Sequence, residues 1–284
     1  MILRKMIKRL GEKWAYREID NLIYTPALKY AYSSSSISGS TLVGHYVAIT
    51  GVTGGIGKAT AERFIKEGCN VILVGRDETR LIDLKNEIGN ATTQITILDL
   101  LKPEYFEENI NTLMKNHPID VWVNCAGIFT DTYRERTFSQ ITKDQFFNTY
   151  NINFNSTALL TEIVAKKMKA RNVHGKIINV ASMAAFDQVL FHTVYGMSKS
   201  ALTAFTKKIS EKYKGDLSIM GIAPGATVSR MSKLTVGDSI SNAVGGLERL
   251  LIPEEVAATI AFMASSVGNY LNGYVAKIYA YNIL

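Results

Sequence analysis

The sequence predicts an α/β fold: a doubly wound, mainly parallel sheet of seven strands, covered by helices on both faces in a single domain. Three observations lead to this prediction. Short apolar runs alternate with helix-like segments, a glycine-rich turn follows the first run, and 47% of the 284 residues are hydrophobic. Such alternation implies right-handed crossovers between parallel strands, and one large α/β core suits a chain of this length.

Six short apolar runs rich in Ile and Val are predicted to form strands. They are HYVAIT, NVILVG, ITILDL, DVWVN, GKIINVA and LSIMGIA. Helix-like segments follow Gly57 and Asp77, begin at Pro103, and span 143–171 and 195–214. In open sheets of this kind ligands bind at the carboxyl ends of the strands, so we expect the functional residues there.

The glycine-rich turn ITGVTGGIG joins the first predicted strand to a helical segment. This order is the context in which a dinucleotide-binding motif is credible. Gly51 allows a tight turn, Gly55 lets the backbone approach a pyrophosphate, and Gly57 lets the helix pack closely on the sheet. The helix N-terminus then offers free N–H groups and a positive dipole end to phosphates. An ordinary glycine turn is the alternative.

Tyr195 and Lys199 are four residues apart, and Ser182 precedes Tyr195 by thirteen residues. Residues at this spacing share one face of a helix, about 5–6 Å apart. A neighbouring ammonium favours the ionised phenol and lowers its pKa from about 10. We therefore expect Tyr195 to act as a general acid or base near neutral pH. Tyr and Lys often occur at this spacing by chance, but the glycine turn upstream supports the interpretation that these two residues are catalytic.

Together with further motifs in the same order, these residues resemble the short-chain dehydrogenase/reductase family from about residue 44 to residue 273. The further motifs are Asp99-Leu100, Asn124-Cys125-Ala126-Gly127, Asn153 and Pro224-Gly225. The resemblance implies a Rossmann fold and an enzyme that interconverts a carbonyl and a secondary alcohol with NAD(P)(H). The overall pattern looks most like that of 3-oxoacyl reductases.

The resemblance also implies a catalytic set. Tyr195 exchanges a proton with the substrate oxygen, Lys199 lowers the pKa of Tyr195 and holds the nicotinamide ribose, and Ser182 hydrogen-bonds the carbonyl oxygen. Asn153 supports a water that leads protons to Lys199. The implied cofactor-binding residues are Gly51, Thr53, Gly55, Ile56, Gly57, Asp99, Leu100, Asn124, Ala126, Gly127, Tyr195, Lys199, Pro224, Gly225, Val228 and Ser229.

The end of the second predicted strand favours NADP(H) over NAD(H). A ribose with a free 2′-hydroxyl is usually met by a carboxylate about 20 residues after the glycine turn, whereas here Gly75 is followed by Arg76. Gly75 leaves room, and the guanidinium of Arg76 can pair with a 2′-phosphate. Asp77 argues against this reading, although it also suits the cap of the next helix. A surface Arg76 with no cofactor role is the alternative.

Residues 1–43 are predicted to form a basic amphipathic extension, and residues 44–284 the Rossmann domain with a substrate lid at 229–250. Five basic and one acidic residue give residues 1–13 a charge of +4, out of +7 for the chain. Such a helix can contact an anionic membrane surface through residues 1–20, or it can pack on its own domain or a partner.

The remaining features restrict location and partners. The two cysteines form no disulfide framework, and no apolar stretch approaches the ~18–20 residues of a membrane span, so a cytoplasmic protein is expected. No nucleic-acid or metal site is expected. The C-terminal end lacks the family's glycine-rich finish, which often helps to build a tetramer. We therefore expect a homo-oligomer, with a homodimer through the helices near Lys143 and Tyr195 favoured and a tetramer in doubt.

The substrate is expected to be a small carbonyl or alcohol, and acyl thioesters, alicyclic ketones and sugar-derived ketones all suit the predicted lining. That lining comprises Met183, Phe186, Gln188, Phe191 and His192, and a solvated His192 at the mouth of the cleft is the alternative to a substrate contact. Two other functions stay open: a scaffold or sensor that binds NADPH without turnover, and an epimerase-like or dehydratase relative. The intact Asn/Ser/Tyr/Lys set argues against the first, and the short chain argues against the second.

Overall fold

Seven parallel strands form one sheet in the computed structural model, which describes residues 42–89, 92–129, 141–186, 193–229 and 250–280. The strands are β1 (Tyr46–Thr50), β2 (Asn70–Gly75), β3 (Gln94–Ile97), β4 (Ile119–Asn124), β5 (Lys176–Val180), β6 (Ser218–Pro224) and β7 (Val275–Ile278). Their order is β3-β2-β1-β4-β5-β6-β7, which confirms the predicted Rossmann-type α/β sheet. The chain reverses direction of winding between β1 and β4, where such sheets open a crevice.

Helices cover both faces of this sheet. They are α1 (Gly55–Lys66), α2 (Glu78–Ile88), α3 (Phe106–Asn116), α4 (Lys143–Tyr150), α5 (Thr157–Ala170), α6 (Thr193–Lys212) and α7 (Pro253–Ala264). A π-helical turn, Asn151–Ser156, joins α4 to α5, so the helix predicted over 143–171 is interrupted. Short 3₁₀ turns lie at Pro103–Tyr105, Met183–Ala185 and Ser266–Leu271.

Two apolar clusters hold the layers together. On one face Phe64 of α1 and Ile260 of α7 belong to the same cluster as Val47 of β1. On the other face Leu160 of α5 belongs to a cluster with Trp122 of β4. Each large side chain buried in this way stabilises the fold by about 1.5–3 kcal/mol relative to leaving it exposed.

Some predicted segments fall at the edge of the described residues or outside them. Leu42, which the sequence places in the N-terminal extension, is 1% exposed and packs in the first cluster. The rest of that extension, the pocket residues Gln188, Phe191 and His192, and most of the lid (230–249) lie outside the described residues. Among the helices that are described, none is long and apolar enough to cross a membrane.

Candidate active site

The four predicted catalytic residues come together at the carboxyl edge of the sheet. Ser182 follows β5, Tyr195 and Lys199 lie in the first turns of α6, and Asn153 lies in the π-helical turn. The side chains of Ser182 and Tyr195 are hydrogen-bonded. Lys199 Nζ is 5.8 Å from the centroid of the Tyr195 ring.

Ser182 is held by the 3₁₀ turn that it begins. Its Oγ accepts the N–H of Ala184 at 3.2 Å. The same turn lies against α6 at Gly196, where an added Cβ would come within 2.8 Å of the Ala184 carbonyl oxygen. Glycine beside Tyr195 therefore permits the close approach that brings Ser182 to the phenol.

Asn153 is fully buried, and its side chain connects the turn after β4 to α6. Its Oδ1 accepts the Ile128 N–H at 2.8 Å, and its Nδ2 donates to the Ile128 carbonyl at 2.9 Å. The same Nδ2 donates to Ser198 Oγ at 3.1 Å, and Ser198 Oγ donates to the Tyr195 carbonyl at 2.7 Å. π-Helical turns are often found at functional sites. The expected support of a water by Asn153 stays a prediction.

Lys199 is 3% exposed, and its Nζ donates to the Val180 carbonyl at 2.8 Å. An added Cβ at Gly127 would lie 3.3 Å from both Lys199 Nζ and Asn153 Oδ1. Gly127 therefore leaves room for these two groups to approach the turn after β4. Burial lowers the pKa of Lys199 to about 8, and the nearby Cys125 thiol opposes this.

Burial raises the pKa of Tyr195 to about 12, and the hydrogen bond with Ser182 opposes the rise only in part. The sequence predicted a lowered pKa, whereas the net shift of this phenol is upward; the contribution of Lys199 itself stays a prediction. The physical reason for the upward shift is that desolvation of the buried phenol outweighs the hydrogen bond with Ser182. The Lys199 ammonium donates to the Val180 carbonyl and lies 5.8 Å from the centroid of the ring. Tyr195 is consequently protonated at neutral pH and available as a proton donor.

The turn after β1 has a form suited to phosphate. Gly51 has φ +70°, and a Cβ there would come within 2.6 Å of Ala126 Cα. A Cβ at Gly57 would come within 2.3 Å of the Gly51 carbonyl oxygen, so only glycine lets α1 begin so close to the turn. The first turn of α1 has neither a side-chain cap nor an acidic residue. Its N–H groups and dipole end thus suit an anionic phosphate.

Two other loops join this turn. Thr50 Oγ1 accepts the N–H of Cys125 at 3.1 Å and of Ala126 at 3.2 Å, which fixes the turn after β4 against β1. The loop after β6 also approaches, because an added Cβ at Gly55 would lie 3.5 Å from Ser229 Cβ and 3.6 Å from the Val228 carbonyl oxygen. Thr53 is exposed in the glycine turn between these loops.

Asn124 lies in this region, but its side chain belongs to a buried polar network. Its Nδ2 donates to Asn179 Oδ1 at 2.8 Å and to Thr161 Oγ1 at 3.0 Å. Its Oδ1 accepts the indole N–H of Trp122 at 2.7 Å. These contacts connect β4 to β5 and α5. Contact with a cofactor would therefore fall to the backbone of Asn124.

The residues predicted to bind the adenosine end lie apart from the catalytic set, after β2 and β3. Arg76 is exposed and has no hydrogen bond or ion pair with the described residues. Asp77 caps α2, because its Oδ1 accepts the Arg80 N–H at 3.1 Å. Asp99 Oδ1 accepts the Leu101 N–H at 3.0 Å.

Three residues near the catalytic set were not identified from the sequence. The Phe129 ring packs edge-on against Tyr195 at 5.4 Å between centroids. Ser198 links Asn153 to α6, as described above. Lys277 Nζ lies 4.1 Å from the centroid of the Phe186 ring. Phe129 follows the Asn124–Gly127 motif by two residues, so its place at the site was predictable, whereas that of Lys277 depends on the register of β7.

The chain resembles known proteins both in its sequence and in its fold. One family model, described as short chain dehydrogenase, matches residues 45–238. The chain is 28% identical over 259 residues to the 2-dehydro-3-deoxy-D-gluconate 5-dehydrogenase of Bacillus subtilis, covering 88% of this chain and 96% of that protein. It is 32% identical over 242 residues to the 3-oxoacyl-acyl-carrier-protein reductase FabG of Rickettsia prowazekii, covering 84% and 96%.

Among solved structures, the fold is similar to that of a 3-ketoacyl-acyl-carrier-protein reductase from Brucella melitensis complexed with NADH. The TM-score is 0.75 at 22% sequence identity, and the match covers 84% of this chain and 98% of that chain. Within the described residues, no group of three or more His, Cys, Asp or Glu side chains could hold a metal ion.

Proposed function

We propose that this chain, which belongs to the short chain dehydrogenase family, reduces a ketone or a 3-oxoacyl thioester with NADPH. Its family membership makes it an oxidoreductase that acts on CH–OH groups with a nicotinamide nucleotide. One observation carries the proposal: Ser182, Tyr195 and Lys199 form a single cluster at the carboxyl edge of the sheet. A bound nicotinamide nucleotide supplies the hydride for this chemistry.

In the proposed reaction Ser182 and Tyr195 hydrogen-bond the carbonyl oxygen, and Tyr195 gives that oxygen its phenolic proton. The raised pKa keeps Tyr195 protonated at neutral pH, which suits proton donation in the reductive direction. Below about pH 8 Lys199 is charged, and its ammonium stabilises the phenolate that Tyr195 becomes. Asn153 holds the Ile128 turn and α6 in register beside this pair.

The chain offers groups that fit each part of the proposed cofactor. The glycine turn with Thr53 and Ile56, and the N-terminus of α1, would hold the phosphates. Asp99 and Leu100 would meet the adenine, 124–127 the adenosine ribose, and 224–229 the nicotinamide. Lys199 would hold the nicotinamide ribose. This fit is supported by the steric need for glycine at Gly51 and Gly57.

The preference for NADPH is supported by charge at the end of β2. Arg76 is exposed beside Gly75 and has no partner among the described residues, so its guanidinium is available to a 2′-phosphate. The neighbouring Asp77, which argues for a free 2′-hydroxyl, has a second role in this structure, because its carboxylate caps α2. A preference for NADH over NADPH would contradict this use of Arg76.

Absorbance at 340 nm, with NADPH or NADH and a panel of ketones, 3-oxoacyl thioesters and sugar-derived ketones, tests the proposal. We expect NADPH to be consumed with at least one carbonyl and the rate to fall by about 100-fold or more in Tyr195→Phe. Tyr213→Phe is the matched control, because Tyr213 directly follows the last residue of α6, at the end of the helix opposite to Tyr195. Tight NADPH binding without turnover of any carbonyl would instead support the scaffold or sensor.

We also propose a homodimer through α4, the π-helical turn, α5 and α6. A continuous row of aromatic rings supports it. The distances between ring centroids are 5.8 Å from Phe146 to Tyr150, 5.3 Å from Tyr150 to Phe154 and 6.2 Å from Phe154 to Phe205. On the same helices Phe147 is 48% exposed. The cytoplasmic location and a membrane contact through residues 1–20 stay predictions from the sequence.

A further inference from the structure

Lys277 lies on the same row of the sheet as the residue that precedes Ser182. In β7 it is paired with Ala223 of β6. The pairing of β5 with β6 extends beyond Val180, because the Ala181 N–H donates to the Ile222 carbonyl at 2.7 Å. Ala181, Ala223 and Lys277 therefore follow one another across three strands. Since neighbouring strands are about 4.8 Å apart, Lys277 lies about 10 Å to the side of Ala181.

The Lys277 side chain is directed to the face that carries the catalytic set. Alternate residues of a strand share a face, so Lys277 projects on the same side as Val275. Val275 packs in a small apolar cluster with Ala181 and Met183, and the Phe186 ring packs against this cluster. Phe186 follows Ser182 by four residues, and Lys277 Nζ is 4.1 Å from the centre of its ring.

This contact gives the site an oriented cation. An ammonium within about 6 Å of an aromatic centroid is attracted by the ring, which restricts a side chain that would otherwise be mobile. Lys277 is exposed, and no carboxylate of the described residues forms an ion pair with it. Lys199, by contrast, is buried and donates to the Val180 carbonyl. Lys277 is thus available to an anion from solution.

We propose that Lys277 binds an anionic group of the substrate, a carboxylate or a phosphate ester, while the ketone lies against Ser182 and Tyr195. The inference rests on the proposed reduction and adds a substrate class to it. Because Lys277 lies about 10 Å to the side of Ala181, the anion belongs several bonds from the carbonyl rather than next to it. The rings of Phe129 and Phe186 offer apolar surface to the carbons between the two ends.

Matched pairs of ketones, in which one member carries an anionic group and the other is neutral, test the inference by kinetics. One pair, 5-oxohexanoate and its methyl ester, tests a carboxylate. The other pair, dihydroxyacetone phosphate and dihydroxyacetone, tests a phosphate ester. We expect kcat/KM to favour the anion of at least one pair. In Lys277→Met the ratio of anion to neutral ketone should fall by about tenfold, the effect of one charged hydrogen bond. An unchanged ratio would overturn the inference.

Two control variants isolate the charge at this position. Lys277→Arg keeps a cation and should keep most of the preference for the anion. Lys214→Met removes an exposed lysine that pairs with Glu211 at 3.6 Å, away from the site, and should leave the ratio unchanged. A loss of preference in Lys214→Met equal to that in Lys277→Met would mean that only net charge matters, and would also overturn the inference.

Calorimetric titration of the same compounds into the protein with NADP⁺, which has no hydride to transfer to a ketone, measures binding without turnover. Anion binding that weakens about tenfold in Lys277→Met supports the inference, even where no ketone consumes NADPH and the proposed reduction itself fails. Conversely, turnover of neutral ketones without any preference for their charged partners overturns the inference and leaves the reductase intact. Absence of anion binding by the wild-type protein at millimolar concentrations also overturns it.

Discussion

Burial moves the pKa values of Tyr195 and Lys199 toward the neutral form of each side chain. Burial raises the pKa of the Tyr195 phenol to about 12 and lowers the pKa of the Lys199 ammonium to about 8. Between these values lies a range in which both groups are uncharged, and below it only the lysine is charged. The working state at neutral pH is therefore a protonated phenol beside a charged ammonium, and this state ends when Lys199 loses its proton.

We predict that kcat/KM for carbonyl reduction falls as the pH rises through about 8. The pKa of Lys199 is lowered by burial, so the lysine is charged below that value and neutral above it, whereas Tyr195 keeps its proton up to about 12. A neutral lysine no longer stabilises the phenolate formed by proton donation. The profile should be measured from pH 6 to 10 with NADPH in excess.

Lys199→Arg is the control for this profile, because a guanidinium stays charged throughout the range. Its remaining activity should show no fall near pH 8. A wild-type profile that stays level to pH 10 would contradict the assignment of this group to Lys199.

At the scale of elements, loops that are far apart in sequence are fixed to one another by buried polar side chains. Asn124 joins β4 to β5 and α5 through Asn179 and Thr161. Asn179 extends the network to α6, because its Nδ2 donates to Thr206 Oγ1 at 3.0 Å. The network lies beneath the site and holds the strands and helices from which the catalytic residues project.

We predict that Asn124→Ala lowers the free energy of unfolding by about 2–3 kcal/mol, because it leaves buried donors and acceptors without partners. Urea unfolding monitored by circular dichroism measures this change. Asn155→Ala, which removes an exposed amide bonded to Asn151, should cost less than about 0.5 kcal/mol. A variant of Asn124 that keeps wild-type stability and loses only NADPH affinity would contradict the structural role.

The elements that the sequence predicted are those with local signals. The strands β1 to β6 were predicted from short apolar runs. The turn after β1 was predicted from its closely spaced glycines. Helix α7 was missed because it is apolar nearly all round, being buried against α1, and so shows no helical periodicity. β7 is a short edge strand of four residues whose pattern is weak.

The candidate site follows the same division. Spacing within one helix placed Tyr195 and Lys199 together, since both side chains lie on α6. The direction of the Tyr195 pKa shift was missed because it depends on how deeply the assembled fold buries the phenol. The place of Lys277 was missed because it depends on strand pairing across three elements.

For the whole molecule, the helices α4 to α6 present apolar surface that a second copy of the chain would cover. We predict that the wild-type protein sediments as a dimer and that Phe147→Asp shifts it toward the monomer, because a charge in an apolar contact is costly. Analytical ultracentrifugation over a range of protein concentrations measures this. A wild-type monomer, or a dimer unaffected by the substitution, would contradict the proposed interface.

Tyr270→Asp is the matched control, since Tyr270 is 92% exposed and lies on the 3₁₀ turn Ser266–Leu271, outside α4 to α6. It should leave the dimer unchanged. A wild-type tetramer that becomes a dimer in Tyr270→Asp would show that the C-terminal surface also assembles, contrary to the doubt about a tetramer.

Tyr195, Ser198 and Lys199 all lie in the first turns of one helix, α6. The side chains proposed to select the substrate come from other elements: Phe129 follows β4, Phe186 follows β5 and Lys277 lies in β7. The residues proposed to transfer protons and those proposed to recognise the substrate thus lie on separate elements of the fold. A protein engineer could exchange Phe129, Phe186 and Lys277 to admit new ketones while the pH optimum stays where it is. In evolution, such a division lets related proteins acquire new substrates while the catalytic residues stay unchanged.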